Sequence, residues 1–191
     1  MNETPTQNRR VTERLSPAAG SPDVGLLILR LGIGAATLHA GLIKASDFSM
    51  TVQFMTEAGW RLPAFAAFMV TAAETLGGIA LLIGVLTPLA GCATLSAMLC
   101  AWAVNVSGGP FWSDPFNVPF LIGLGGAALL FAGAGAYSVD GRILTRLHWS
   151  TRAKLGLLAL AFVAAIVTWV ALYGVNPIHV AAAQVQIATR G

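Results

Sequence analysis

The stretch ETLGGIALLIGVLTPLAGCATLSAMLCAWAVNVSGGPFWSD, residues 74–114, carries charge at its two ends, Glu74 and Asp114, and at none of the 39 positions between. About 20 apolar residues carry an α-helix across the hydrocarbon core of a bilayer. This stretch therefore holds the end of one crossing and the whole of the next, punctuated by Thr87-Pro88 and by Ser107-Gly108-Gly109-Pro110. A second uncharged run of 35 positions lies between Lys154 and Arg190. Across all 191 residues, 56% are hydrophobic and 10% charged, and the mean hydropathy is +0.74. A soluble domain carries roughly 25% charged residues. So little charge cannot clothe a water-soluble globule, which excludes a soluble enzyme, a disordered chain and a nucleic-acid module. No basic stripe with interleaved aromatics is present to contradict that.

Working outward, five spans emerge, at about Val24–Ala45, Pro63–Leu86, Leu89–Val106, Asn117–Tyr137 and Leu155–Tyr173. Ser21-Pro22-Asp23 opens the first with a capping hydroxyl, a proline in the first turn and an acid at the positive dipole end. None of the runs shows the period-two alternation of a membrane barrel. The expected fold is therefore an all-α integral membrane protein: an antiparallel four-helix transmembrane bundle plus a fifth, C-terminal transmembrane helix. Residues 1–22 read as a disordered cytoplasmic tail, 23–143 as the four-helix domain, 144–174 as a cytoplasmic loop and the fifth helix, and 175–191 as a short extracytoplasmic tail. Arg9, Arg10 and Arg14 precede the first span, and Arg142, Arg146, Arg152 and Lys154 lie between the fourth and fifth. The positive-inside rule then places the N-terminus in the cytoplasm and the C-terminus outside, in a bacterial-type cell membrane. The lipid bilayer is the first partner, a second copy of the chain is a candidate, and nucleic acid is not.

Ionisable groups inside a span cost about 2.5–3.5 kcal/mol each on the insertion scale, so each calls for a reason. Arg30, Gly34, Thr37, Gly41 and Lys44 recur at helical spacing and form one seam on the first span. Ala67, Thr71, Glu74 and Gly78 form another on the second. If the first span leaves the membrane level with Pro63, Arg30 comes within about 6 Å of the height of Glu74, while Lys44 stands about 15 Å from it. That reading predicts a buried Arg30–Glu74 ion pair or relay, with Lys44 at its mouth. His39 falls on the opposite face of its helix and has no second axial partner for haem. Cys92 and Cys100, about 12 Å apart along one helix, are too far for a disulfide and read as packing residues. No metal site and no covalently bound cofactor is expected. Trp102, Asn105, Trp112 and Asn117 gather aromatic faces and hydrogen-bonding groups near one membrane surface. With His39 they are the candidate quinone site, the alternative being an interfacial aromatic belt.

The stretches Leu29-Arg30-Leu31-Gly32, His39-Ala40-Gly41-Leu42-Ile43-Lys44, Ala73-Glu74-Thr75-Leu76-Gly77-Gly78 and Gly133-Ala134-Gly135-Ala136-Tyr137-Ser138-Val139-Asp140 resemble the DoxX family of bacterial membrane proteins. The resemblance covers roughly residues 24 to 143 and implies a four-helix membrane bundle, to which the fifth span is an addition. It also implies a redox link, since the family takes its name from a subunit associated with thiosulfate:quinone oxidoreductase. Many members have a glutamate where Asn117 stands here. The function this suggests is a small subunit of a membrane redox system, possessing no catalytic signature of its own, that links thiol or sulfur oxidation to the quinone pool. Quinone would be its ligand and soluble redox or sulfur-metabolism proteins its partners. The alternative is a non-enzymatic membrane scaffold that docks soluble partners at the cytoplasmic face.

Overall fold

A computed structural model of the chain describes residues 20–107, 114–143 and 149–176. Trp112 and most of the two terminal tails lie outside these residues. The described residues are all-helical: α1 (Ser21–Ser46), α2 (Phe48–Glu57), α3 (Pro63–Ile83), α4 (Thr87–Ser107), α5 (Val118–Ala132), α6 (Val139–Arg142) and α7 (Thr151–Leu172). Four of them, α1, α3, α4 and α7, are long and apolar enough to cross a membrane, and α5 is a shorter apolar helix of 15 residues. Most large apolar side chains, among them Ile28, Phe65, Leu76, Leu121, Ile166 and Val167, face outward, as they do when lipid is the solvent.

The tightest packing joins α1 to α3. Arg30, Gly34, Thr37 and Gly41 are the buried residues of α1, and Ala67, Glu74 and Gly78 are among those of α3, so the two seams read from the sequence do face each other. A Cβ on Gly41 would lie 2.6 Å from the Thr75 amide nitrogen, and one on Gly78 would lie 2.5 Å from that of Leu38. Backbones this close leave no room for a side chain, the usual means by which helices gain van der Waals contact in lipid. The register, however, differs from the expected one. Gly34 lies against Gly78 and Leu82, Leu38 against Gly78, and Gly41 against Glu74 and Thr75. Relative to a connection that leaves Ala45 level with Pro63, α3 is displaced by eight residues, about 12 Å.

The cause is α2, which the sequence reading treated as loop. Asp47 ends α1 and starts α2, accepting hydrogen bonds from the Met50 amide and the Ser49 hydroxyl at 2.9 and 2.8 Å. Those two bonds hold its carboxyl below the usual carboxylate range. Met55 of α2 then packs with Ala66 and Ala67, so the first turns of α3 extend past the end of α1 and are covered by α2.

α4 packs on α5 and α7 through Cys92, Leu95, Leu130 and Ala161, and a second cluster of Leu81, Ala90 and Leu129 joins α3, α4 and α5. α5 stops at Ala132 and not at Tyr137, because Gly133 and Gly135 take φ of +81° and +73° and turn the chain. The last long helix is woven into the rest. Cys92 donates to the Leu157 carbonyl at 3.2 Å, and Lys154 donates to that of Phe131 at 2.8 Å. At its far end the Arg61 amide donates to Leu172 and that of Gly174 to Gly59, with the Trp60 and Tyr173 rings 5.5 Å apart.

Candidate functional site

The ionisable groups of the α1–α3 seam occupy two separate places. At one end of the bundle, Arg30 is 2% exposed and donates to the carbonyls of Ala134 and Tyr137, at 3.3 and 2.7 Å. Its guanidinium lies over Gly84, the left-handed C-cap of α3, where a Cβ would collide with it. Two acids hold the same 134–140 segment. Asp23 accepts from the Ala136 amide at 2.8 Å. Asp140 accepts from the amides of Leu86 and Thr87, both at 2.8 Å, and so satisfies the first turn of α4 from another part of the chain. Arg30 thus locks the end of α1 to the segment after α5. The expected Arg30–Glu74 pair is not formed, because the eight-residue displacement puts Arg30 level with the α3–α4 turn.

Glu74 is bonded instead to Lys44, whose ammonium donates to Oε2 at 2.7 Å and to the Ala40 carbonyl at 3.4 Å. The Glu74 side chain is 4% exposed and that of Lys44 28%. The pair is thus buried at its acidic end and half-open at its basic end.

Both residues form part of the wall of a cavity of about 290 Å³ enclosed by α1, α2, α3, α4 and α7. The wall is mostly apolar and built largely from alanines: Ala66 and Ala73 on α3, Ala93, Ala97 and Ala101 on α4, and Ala165 on α7. Ser96, Cys100, Asn105 and Thr168 add polar groups, and Trp60 an aromatic face. Phe54 and Met69 also line it and are exposed on the outer surface of the bundle, so the cavity reaches that surface between α2 and α3. Ligand pockets run to about 300–1,000 Å³ and are mainly apolar with a few convergent polar groups. At about 290 Å³ this one lies just below that range, and its lining matches that description.

Of the five residues proposed as a quinone cluster, Trp112 lies outside the described residues, and the other four do not all line one hollow. Asn105 lines the cavity. Trp102 donates its indole N–H to the Pro115 carbonyl at 2.8 Å and packs on Phe120. Asn117 caps α5 by accepting from the Phe120 amide. Both tie the 114–117 turn to the bundle. His39 is exposed on the face of α1 turned away from the cavity. Conversely, the sequence reading takes Cys100 for a packing residue and passes over Ala93, Ser96, Ala97 and Ala101, although all five recur at helical spacing on α4. Small residues on one face of a span read equally as a packing seam or as the wall of a hollow, and their partners decide which. Among the described residues no cluster of His, Cys, Asp or Glu could hold a metal ion.

Comparison with known proteins bears on the same helices. Residues 25–106, which include α1 through nearly all of α4 and hence Lys44, Glu74 and most of the cavity wall, match the DoxX family model. A protein of Bacillus subtilis (strain 168) described as "Putative oxidoreductase CatD" is 33% identical over 69 residues, 36% of this chain and 50% of that one. The chain thus spans about half the length of the curated relative it matches. No solved structure matches it. Over residues 25–106, somewhat under half of its length, the chain thus matches the DoxX domain, and four of its helices are long and apolar enough to cross a membrane.

Proposed function

We propose that this protein is a small multispanning subunit of a membrane redox system, which holds a quinone headgroup in the alanine-walled cavity beside Lys44 and Glu74. The system would link thiol or sulfur oxidation to the quinone pool. The observation that carries the reading is the cavity itself: an apolar hollow among lipid-facing helices with one buried acid–base pair in its wall. The description of the Bacillus relative as an oxidoreductase agrees with it.

A quinone supplies two-electron, two-proton chemistry when bound. The chain's own residues supply the rest. Lys44 has three N–H donors and commits two of them, to Glu74 and Ala40, so a third is free for a ring oxygen. Trp60 and the alanines offer flat apolar contact, and a cavity of about 290 Å³ takes a ring system with no room for a long tail. The tail would leave past Phe54 and Met69, where the cavity meets the lipid-facing surface.

In the same proposal the bundle is antiparallel, its N-terminus is cytoplasmic, and α5 and α7 both cross. α5 has 15 residues and spans about 22 Å, so it needs the segments on either side of it to complete the crossing. Purification in a mild detergent followed by solvent extraction and absorption spectroscopy tests the ligand. Near-stoichiometric quinone is expected, and Ala97→Phe, which fills the cavity, is expected to lose it. Protein that retains no quinone, and that fails to restore quinone reduction to membranes lacking it, would sink the proposal.

A further inference from the structure

The two ends of the Lys44–Glu74 pair are unequal, and the inequality selects between ligands. Glu74 Oε2 accepts from Lys44, while its other carboxylate oxygen accepts from no described residue. The side chain is more than nine-tenths buried and belongs to the cavity wall. An ionised carboxylate is an acceptor at both oxygens and a donor at neither. Lys44, being 28% exposed, can turn its spare N–H toward the rim without any ligand. Glu74, with 4% of its side chain exposed, has less freedom to turn away, and its second oxygen takes a donor from whatever occupies the cavity that it lines.

We infer that the cavity is built for a ligand bearing an O–H group, so that it takes the reduced, hydroxyl form of a small aromatic ring in preference to the oxidised, carbonyl form. This deepens the quinone reading and rests on it for the ring chemistry. A carbonyl oxygen set against Glu74 would face a second acceptor, whereas a phenolic hydroxyl donates a charge-assisted bond to it. A site whose buried polar group is left unpaired by the wrong analogue discriminates strongly, and roughly tenfold or more is expected here. Preference of that size for the reduced form would raise the potential of a bound two-electron couple by about 30 mV per tenfold.

The test separates hydrogen bonding from redox chemistry by using redox-quiet probes. The full chain in lipid nanodiscs is titrated with 1-naphthol, 1-methoxynaphthalene and 1,4-naphthoquinone, following intrinsic tryptophan fluorescence and correcting for partition into empty nanodiscs. The expected order is 1-naphthol tighter than the methyl ether by roughly tenfold or more, with 1,4-naphthoquinone weaker than 1-naphthol. Glu74→Gln should narrow the gap, and Ala97→Phe should abolish binding of all three. Equal binding of naphthol and its ether, with naphthoquinone still displaced by Ala97→Phe, overturns this inference and leaves the quinone reading standing. Binding of none of the three overturns both. The wild-type comparison decides even if Glu74→Gln does not fold.

Discussion

Lys44→Met isolates the acidic end of the pair and makes a quantitative case. The substitution preserves the length and apolar stem of the side chain and removes the charge that faces Glu74 at 2.7 Å. What remains is a carboxylate with 4% of its side chain exposed and no cation beside it. Breaking one partner of a buried pair costs about 3–5 kcal/mol. The carboxyl can escape by taking up a proton. For a carboxyl of ordinary acidity, pKa about 4.3, that costs about 1.36 kcal/mol per pH unit above the pKa, hence about 3.7 kcal/mol at pH 7 and about 1 kcal/mol at pH 5. The charge penalty is therefore capped by protonation. The folded variant then holds a proton that the unfolded chain releases above pH 4.3, so its stability relative to wild type falls as pH rises. Denaturation in detergent micelles from pH 5 to 8 should show the wild-type-to-variant gap widening by up to about 1.4 kcal/mol per pH unit. Glu74→Gln should cost less, about 1–3 kcal/mol, because Lys44 can swing its ammonium to the rim. The double variant should lose clearly less than the sum. A gap independent of pH, or strictly additive losses, would refute the assignment of Lys44 as the partner of Glu74.

Arg30 offers the complementary check. Arg30→Gln and Glu74→Gln should be additive to within about 0.5 kcal/mol in a thermal or denaturant assay, since Arg30 bonds to Ala134 and Tyr137 and not to Glu74; strong coupling would restore the pairing that the seam alone suggests. Asp140→Ala removes both acceptors from the start of α4 and should cost about 0.5–2 kcal/mol, as loss of a helix cap does. Gly78→Leu should prevent the close approach of α1 and α3 and lower the melting temperature far more than Ile79→Leu one position away, which faces outward. Removal of residues 151–191 takes away the α7 wall of the cavity, including Ala165 and Thr168, and should destabilise the remainder in the same assay, contrary to an independent four-helix core.

Much of this architecture is legible in the amino-acid order. Uncharged runs longer than a bilayer is thick gave the helices, and the recurrence of Arg30, Gly34, Thr37, Gly41 and Lys44 gave the face of α1 that is buried. Small residues opposite one another gave the α1–α3 contact. What spacing could not supply was the vertical register between helices. That depended on whether residues 46–62 formed a plain loop or a folded connection. Asp47 with Ser49 is an ordinary N-cap, but Phe48–Glu57 is only 10 residues long and too short to be told from an irregular linker by periodicity. One unread helix shifted α3 by eight residues and exchanged the partner of Glu74. The cavity was hidden for a different reason. A stripe of alanines is chemically silent, and whether it meets another helix or faces a hollow is decided by residues far away in the chain, here Met55, Trp60 and Thr168.

The central claim is that the ligand-binding chemistry lies in the cavity at Lys44 and Glu74, away from Trp102, Asn117 and His39. Photolabelling with an azido-quinone, followed by peptide mapping, addresses it directly. The expected labels fall on cavity residues such as Met69 and Cys100 and fade with excess unlabelled quinone and with Ala97→Phe. Competable labelling confined to residues 114–117, or to the His39 face of α1, would contradict the account.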